Sequence, residues 1–151
     1  MKKSSRRLSL TVPGTVDHLA RIRAFVTDNA RTAGFSEGDV DEVVLALDEA
    51  VANIVEHAYE GTVLSDDEKQ IVLKIECDGE VFRVLLQDHG IPYDPTVAPV
   101  ISAEESARKG ARGDDGGWGI YIIRQFMDEI TYHYSMTNGN TLEMVRRVRR
   151  S

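Results

Sequence analysis

Apolar and polar residues alternate over 8–12 (Leu8-Ser9-Leu10-Thr11-Val12), the period of a half-buried strand, and Pro13-Gly14 closes the run. Over 15–33 the apolar residues Val16, Leu19, Ala20, Ile22, Phe25, Val26 and Ala30 change to mostly helical spacing, and Gly34 is a stop signal. Ser36 then offers an N-cap. Val40, Val43, Val44, Leu47, Val51, Ile54, Val55 and Ala58 follow at intervals of three and four, the strongest periodic signal in the chain. It predicts a helix running to about Tyr59 and ending at Gly61. A polar loop over 62–69 leads to strands near 70–77 and 81–87, joined by the hairpin signal Asp78-Gly79. From His89 to Gly117 the pattern dissolves into Gly, Pro, Asp, Lys and Arg, with one short helix expected near 102–108. So long a connection in a small chain is unusual, and such loops commonly carry function. A helix over about 120–127 and a last strand pair near 129–136 and 141–149, joined by Asn138-Gly139, complete the pattern.

The order β-α-α-β-β-loop-α-β-β predicts an α+β fold, a two-layer α/β sandwich in which a mixed, mostly antiparallel sheet carries helices on one face. With 151 residues, 42% hydrophobic and 28% charged, the chain fits one soluble domain over 1–151, with residues 1–7 expected to be flexible. The net charge of −7 argues against a dedicated nucleic-acid binder, which presents a basic face to phosphates. The charge is uneven: Lys2, Lys3, Arg6 and Arg7 at the start and Arg146, Arg147, Arg149 and Arg150 at the end flank an acid-rich stretch over 36–68. Both basic ends are expected to be solvated. Cys77 is the only cysteine, which excludes an intramolecular disulfide and a cysteine-based zinc site. No apolar run approaches the ~20 residues of a membrane span. The apolar stretch behind the basic start is too short for a signal-peptide core, so a cytoplasmic protein without membrane contact is expected.

Three segments carry candidate chemistry. On the long helix, Glu49 and Asn53 stack one turn apart on a side away from the apolar stripe, with His57 a turn further and Ala46 and Ala50 leaving room beside them. By itself such a pair also fits a solvated polar face. Asp88-His89-Gly90-Ile91-Pro92 follows an apolar strand, so a carboxylate stands where a buried strand enters a loop and can accept a hydrogen bond from an exocyclic amine; an ordinary turn has the same composition. Asp115-Gly116-Gly117-Trp118-Gly119-Ile120 ends the long loop and opens a helix, where crowded backbone amides suit a phosphate. This last segment lacks the Gly-Lys-Ser/Thr of a Walker A loop and the Gly-x-Gly-x-x-Gly of a dinucleotide fingerprint.

In order, Glu49-Ala-Val-Ala-Asn53, Asp88-x-Gly90 and Gly117-x-Gly119 resemble the nucleotide boxes of the GHKL ATPases, which include gyrase-type ATPases and histidine-kinase catalytic domains. Asn140-Thr141 resembles the family's late threonine that supports adenine binding. The resemblance covers about 8–149 and implies the Bergerat ATP-binding fold. Within that superfamily, Asp48-Glu-Ala-Val-Ala-Asn-Ile-Val-Glu-His-Ala-Tyr59, Asp88-His-Gly-Ile-Pro-Tyr-Asp-Pro95 and Ile122-Ile-Arg-Gln-Phe-Met-Asp-Glu-Ile130 are similar to the anti-sigma-factor serine kinases.

The resemblance implies ATP and Mg²⁺ as cofactors. Asn53 is the implied ligand of the metal, and Glu49 the base that takes a proton from a serine hydroxyl. Asp88, Gly90 and Ile91 are implied at the adenine with support from Thr141, and Gly117, Gly119 and Ile120 at the phosphates, beneath a lid over roughly 95–116. His57 follows the family pattern at the nucleotide, with helix packing as its other reading; Trp118 fits packing on the lid or a partner. Some relatives carry an arginine just ahead of the last Gly-x-Gly. Here Asp115 holds that place; either Lys109 or Arg112 substitutes from the lid, or handling of the terminal phosphate is weak. The implied partners are a sigma factor and a STAS-domain anti-anti-sigma protein, phosphorylated on serine, with the kinase a homodimer. Two other readings share the fold: a switch kinase acting on a STAS scaffold without holding a sigma factor, and a nucleotide-responsive interaction module with little kinase activity.

Overall fold

The computed structural model describes residues 5–59, 62, 64–65, 68–97 and 117–148. Five strands, β1 (Arg6–Pro13), β2 (Gln70–Cys77), β3 (Val81–Asp88), β4 (Glu129–Ser135) and β5 (Gly139–Arg147), pair in the order β1-β2-β3-β5-β4. Every pairing among the described residues is antiparallel, so the sheet is simpler than the mixed one expected. Because side chains alternate across a strand, one face collects Val12, Ile71, Leu73, Ile75, Phe82, Val84, Leu86 and Met144, all almost fully buried. Helices α1 (Leu19–Ala33), α2 (Glu37–Asn53) and α3 (Gly117–Phe126) set Ile22, Val26, Val43, Leu47, Val51, Ile120 and Ile123 against that face. The other face carries Ser9, Lys74, Arg83 and Glu143, with Arg83 paired to Glu143 at 2.6 Å.

The ends of the elements explain most of the differences from the sequence pattern. Ser36 caps α2 as predicted: its backbone is extended and its hydroxyl accepts the Asp39 N–H at 3.2 Å, while Glu37 and Asp39 lie favourably in the first turn. The α-helix stops at Asn53, earlier than the apolar periodicity suggests, and Ile54–Tyr59 continues as a π-helical turn. The last carbonyls of a helical segment have no partner within it. Here the Ala58 carbonyl accepts the Ile91 N–H at 2.7 Å. The buried Tyr59 hydroxyl donates to the Gln70 carbonyl and accepts the His89 N–H at 3.1 Å, tying the end of α2 to the sheet.

Helix α1 is preceded by a short 3-10 turn, Val16–His18. Helix α3 begins at Gly117, before the periodic signal, because glycines contribute no apolar pattern. The charged ends also differ from expectation. Arg6 and Arg7 pair with Cys77 and Glu76 in the edge strand β1, where charged side chains are well tolerated. Arg146 lies on the inward face of β5 and is buried. Its guanidinium donates to Asp39 at 2.6 Å, Glu42 at 3.2 Å and the Phe126 carbonyl at 2.8 Å, and sits 5.9 Å from the Phe35 ring centre. The expectation of a solvated basic end fails at Arg146 because alternation along β5 turns it inward, onto two carboxylates of α2.

Candidate functional site

Glu49 and Asn53 project from α2 one turn apart, and both are buried, at 5% and 6% exposure. A solvated polar face is therefore the wrong description. What covers them is the first turn of α3. A β-carbon placed on Gly119 would lie 3.0 Å from Glu49 Oε2 and 3.9 Å from Asn53 Oδ1, so a glycine there lets α3 begin directly against the carboxylate and the amide. Among the described residues Asn53 Nδ2 has no hydrogen-bond partner, although it is buried. Buried polar atoms are rarely left so. The Ile120 side chain belongs to the core. Asp48, next to the pair, is held by Arg23 of α1 at 2.8 Å.

At the far end of the same groove, Asp88 closes β3 at 3% exposure. Its Oδ1 accepts the Gly90 N–H at 2.9 Å and the Asn140 amide at 2.8 Å. Burial raises the Asp88 carboxyl above its ordinary range, and the hydrogen bonds from Asn140 and Gly90 oppose that shift. At Gly90 a β-carbon would lie 2.2 Å from the Ala58 carbonyl oxygen, so the close approach of the π turn behind it requires a glycine. Ile91 is anchored by its N–H on Ala58, while its side chain is exposed.

Between these two ends lies a cavity lined by Ala50, Asn53, Ile54, Ala58, Asp88, Tyr93, Pro95, Tyr132, Asn140 and Leu142. Its walls are mostly apolar or aromatic, with one carboxylate, which suits a flat heterocycle bearing a hydrogen-bond donor. His57 does not line it. The imidazole stacks on Tyr93, with ring centres 4.5 Å apart and planes within 15°, and so backs one wall. Asn53 faces the cavity and also stands beside Glu49 under Gly119, which joins the slot to a polar end.

The fold thus gathers Glu49, Asn53, Asp88, Gly90 and Gly119 along one groove. It does not bring Thr141 there. The register pairs Thr141 with Gln87 and Asn140 with Asp88, so alternation turns Thr141 to the opposite face of the sheet. Asn140, quoted from sequence only beside Thr141, occupies the site, as do Tyr93 and Tyr132, to which the sequence assigns no role. The turn signal Asn138-Gly139 fixes the hairpin of β4 and β5, but which β5 residue faces Asp88 depends on the pairing of β5 with β3, which no local pattern encodes. Lys109, Arg112, Asp115 and the short helix expected near 102–108 lie outside the described residues, as does the Trp118 side chain.

Known proteins are similar to this chain in sequence and fold. The histidine kinase-like ATPase domain family matches residues 12–146. The chain is 22% identical to the serine-protein kinase RsbW of Bacillus cereus (strain AH187), over 99% of its own length and 90% of the relative's. The RsbW of Bacillus thuringiensis subsp. konkukian (strain 97-27) gives the same figures. Among solved structures, the RsbU and RsbW domains of a Mycobacterium tuberculosis protein superpose with a TM-score of 0.65 at 20% identity. That match covers 97% of this chain and 33% of the other, and it shows the fold.

Proposed function

Because the chain belongs to the histidine kinase-like ATPase domain family, we propose that it binds Mg-ATP in the groove between α2, the end of β3 and the start of α3, and transfers the terminal phosphoryl group to a protein serine. One observation carries the reading: a buried carboxylate, a buried amide with an unpartnered nitrogen and a bare glycine helix start meet at one end of a slot that has an acceptor carboxylate at the other. The serine-protein kinase description of the Bacillus relatives supports the reaction class.

In this reading the Asp88 carboxylate accepts a hydrogen bond from the exocyclic amine of adenine, and the ring lies between Ala58, Tyr93, Tyr132 and Leu142. The first turn of α3, from Gly117 through Ile120, presents backbone N–H groups to the phosphates. Asn53 fits the metal: an amide oxygen is a suitable hard ligand, and its nitrogen, without a partner among the described residues, would donate to a phosphate oxygen. Bound Mg²⁺ supplies charge neutralisation at the phosphates. Glu49, one turn back on α2, accepts the serine proton, and the packing of α3 over it excludes water from the transfer. His57 packs on Tyr93 behind the slot.

The substrate in this proposal is a small STAS-domain anti-anti-sigma protein, the second partner is a sigma factor, and the kinase acts as a homodimer. The decisive experiment incubates the protein with Mg-ATP and STAS proteins of the same genome and maps the modified residue. A phosphoserine is expected, and Glu49→Gln should keep ATP affinity while lowering phosphorylation about 10²–10⁴-fold, the range a positioned base contributes. Equal phosphorylation by that variant would remove Glu49 from the mechanism. Failure to retain any sigma factor in a pull-down would remove that partner alone.

A further inference from the structure

The hydrogen bonds around Asn140 run in one direction. The Tyr93 N–H donates to the Tyr132 hydroxyl at 3.2 Å and, more weakly, to Asn140 Oδ1 at 3.4 Å. The Tyr132 hydroxyl donates to Asn140 Oδ1. The Asn140 amide nitrogen donates to Asp88 Oδ1 at 2.8 Å, to the Ile91 carbonyl at 3.2 Å and to the Gly90 carbonyl at 3.4 Å. The opposite orientation of the amide would set its oxygen against two carbonyls and a carboxylate and its nitrogen against two donors. The surroundings therefore fix which way it points. Asn140 is buried, at 3% exposure, and lies opposite Asp88 in the β3–β5 register.

This polarity has a consequence at Asp88. Among the described residues both of its hydrogen bonds fall on Oδ1, one from Gly90 and one from Asn140, and both arrive from N–H donors. Oδ2 is left to the cavity that Asp88 lines. With Oδ1 held by the Gly90 N–H of the following loop and the Asn140 amide of β5, Oδ2 is the oxygen offered to the base. An exocyclic amine satisfies it, whereas a carbonyl oxygen at the same place faces a carboxylate with no proton to share.

We propose that Asn140 is a specificity-determining positioning residue, which acts through Asp88 to make the site take 6-aminopurine nucleotides and reject 6-oxopurine ones. The proposal rests on the reading that Asp88 contacts the base. It assigns to Asn140 the support expected of Thr141, by a direct amide–carboxylate bond, and it makes Tyr132 the group that aims the amide.

The test compares the affinities of ATP and inosine triphosphate, which differ at the 6-position of the purine, for the wild-type chain, Asn140→Leu, Asn140→Asp, Tyr132→Phe and Asp88→Asn. Thermal unfolding of each variant is recorded alongside. The wild type is expected to prefer ATP, and Asn140→Leu and Asn140→Asp to narrow that preference by about tenfold or more, in line with loss of one charge-assisted hydrogen bond. Tyr132→Phe keeps Asn140 and deletes only the hydroxyl that aims it, so it should narrow the preference by less. A folded Asn140 variant with the wild-type ratio overturns the proposal. If neither Asn140 variant folds, Tyr132→Phe decides, and an unchanged ratio there overturns it equally. Asp88→Asn separates the two claims: if it binds ATP as the wild type does, the reading of the base at Asp88 has failed. If it loses ATP while the Asn140 variants keep full discrimination, only the role of Asn140 has failed.

Discussion

Asp88 is a residue whose usefulness and stability conflict. Burial lifts its carboxyl above the ordinary 3.8, with Asn140 and Gly90 pulling the other way. The folded chain therefore holds that proton more tightly than the unfolded chain does. The stabilising contribution is fully present below the unfolded value and is lost as pH rises through the raised folded value. At neutral pH a charged Asp88 thus weakens the fold while serving as the acceptor. Asp88→Asn keeps an oxygen for Gly90 and Asn140 and carries no charge. Its melting temperature relative to wild type should climb between pH 4 and 7, even as it loses ATP. Thermal scans across that range check this, and a difference that stays flat would mean that the charge costs the fold nothing.

At the scale of elements, the apolar pattern was informative wherever a strand or helix has one plain buried face. Residues 70–77 and 81–87 are short apolar-rich runs joined by the turn signal Asp78-Gly79, and the structure places strands at Gln70–Cys77 and Val81–Asp88. It was uninformative where the deciding contact is long-range. The π turn at Ile54–Tyr59 is tied to Gln70, His89 and Ile91, all distant in sequence, and its residues are apolar enough to pass for more α-helix. Arg146 reads as a basic end until β5 is paired and its inward neighbours prove to be Asp39 and Glu42 of α2. Gly90 makes its close contact with backbone, which cannot yield easily. Gly90→Ala should push the β3 end off the π turn and cost about 1–3 kcal/mol, the usual range for overpacking. For a chain of this size that lowers the melting temperature by roughly 3–10 °C. An unchanged melting temperature would show that the turn can open without loss.

For the whole molecule, the site matters because its pieces come from separate elements that the core brings together. Glu49 and Asn53 come from α2, Asp88 from β3, Asn140 from the last hairpin and Gly119 from the start of α3. The motifs that carry the first, second and fourth of these elements were legible as ordered boxes, and their order along the chain was more telling than any one of them. Their convergence, and the substitution of Asn140 for Thr141, belong to the register of β3 with β5. A ligand that spans all of these elements cross-links the fold, so its binding is read in global stability. At a free ATP concentration a hundred times the dissociation constant, the native state gains about 2.7 kcal/mol. In this size range that raises the melting temperature by roughly 5–10 °C. Glu49→Gln should keep the whole shift, because the base acts on the incoming serine and not on bound nucleotide, whereas Asp88→Asn should lose most of it. Differential scanning calorimetry with and without Mg-ATP measures both. A shift lost in Glu49→Gln and kept in Asp88→Asn would exchange the two carboxylates between catalysis and binding, and with them the direction in which ATP lies along the groove.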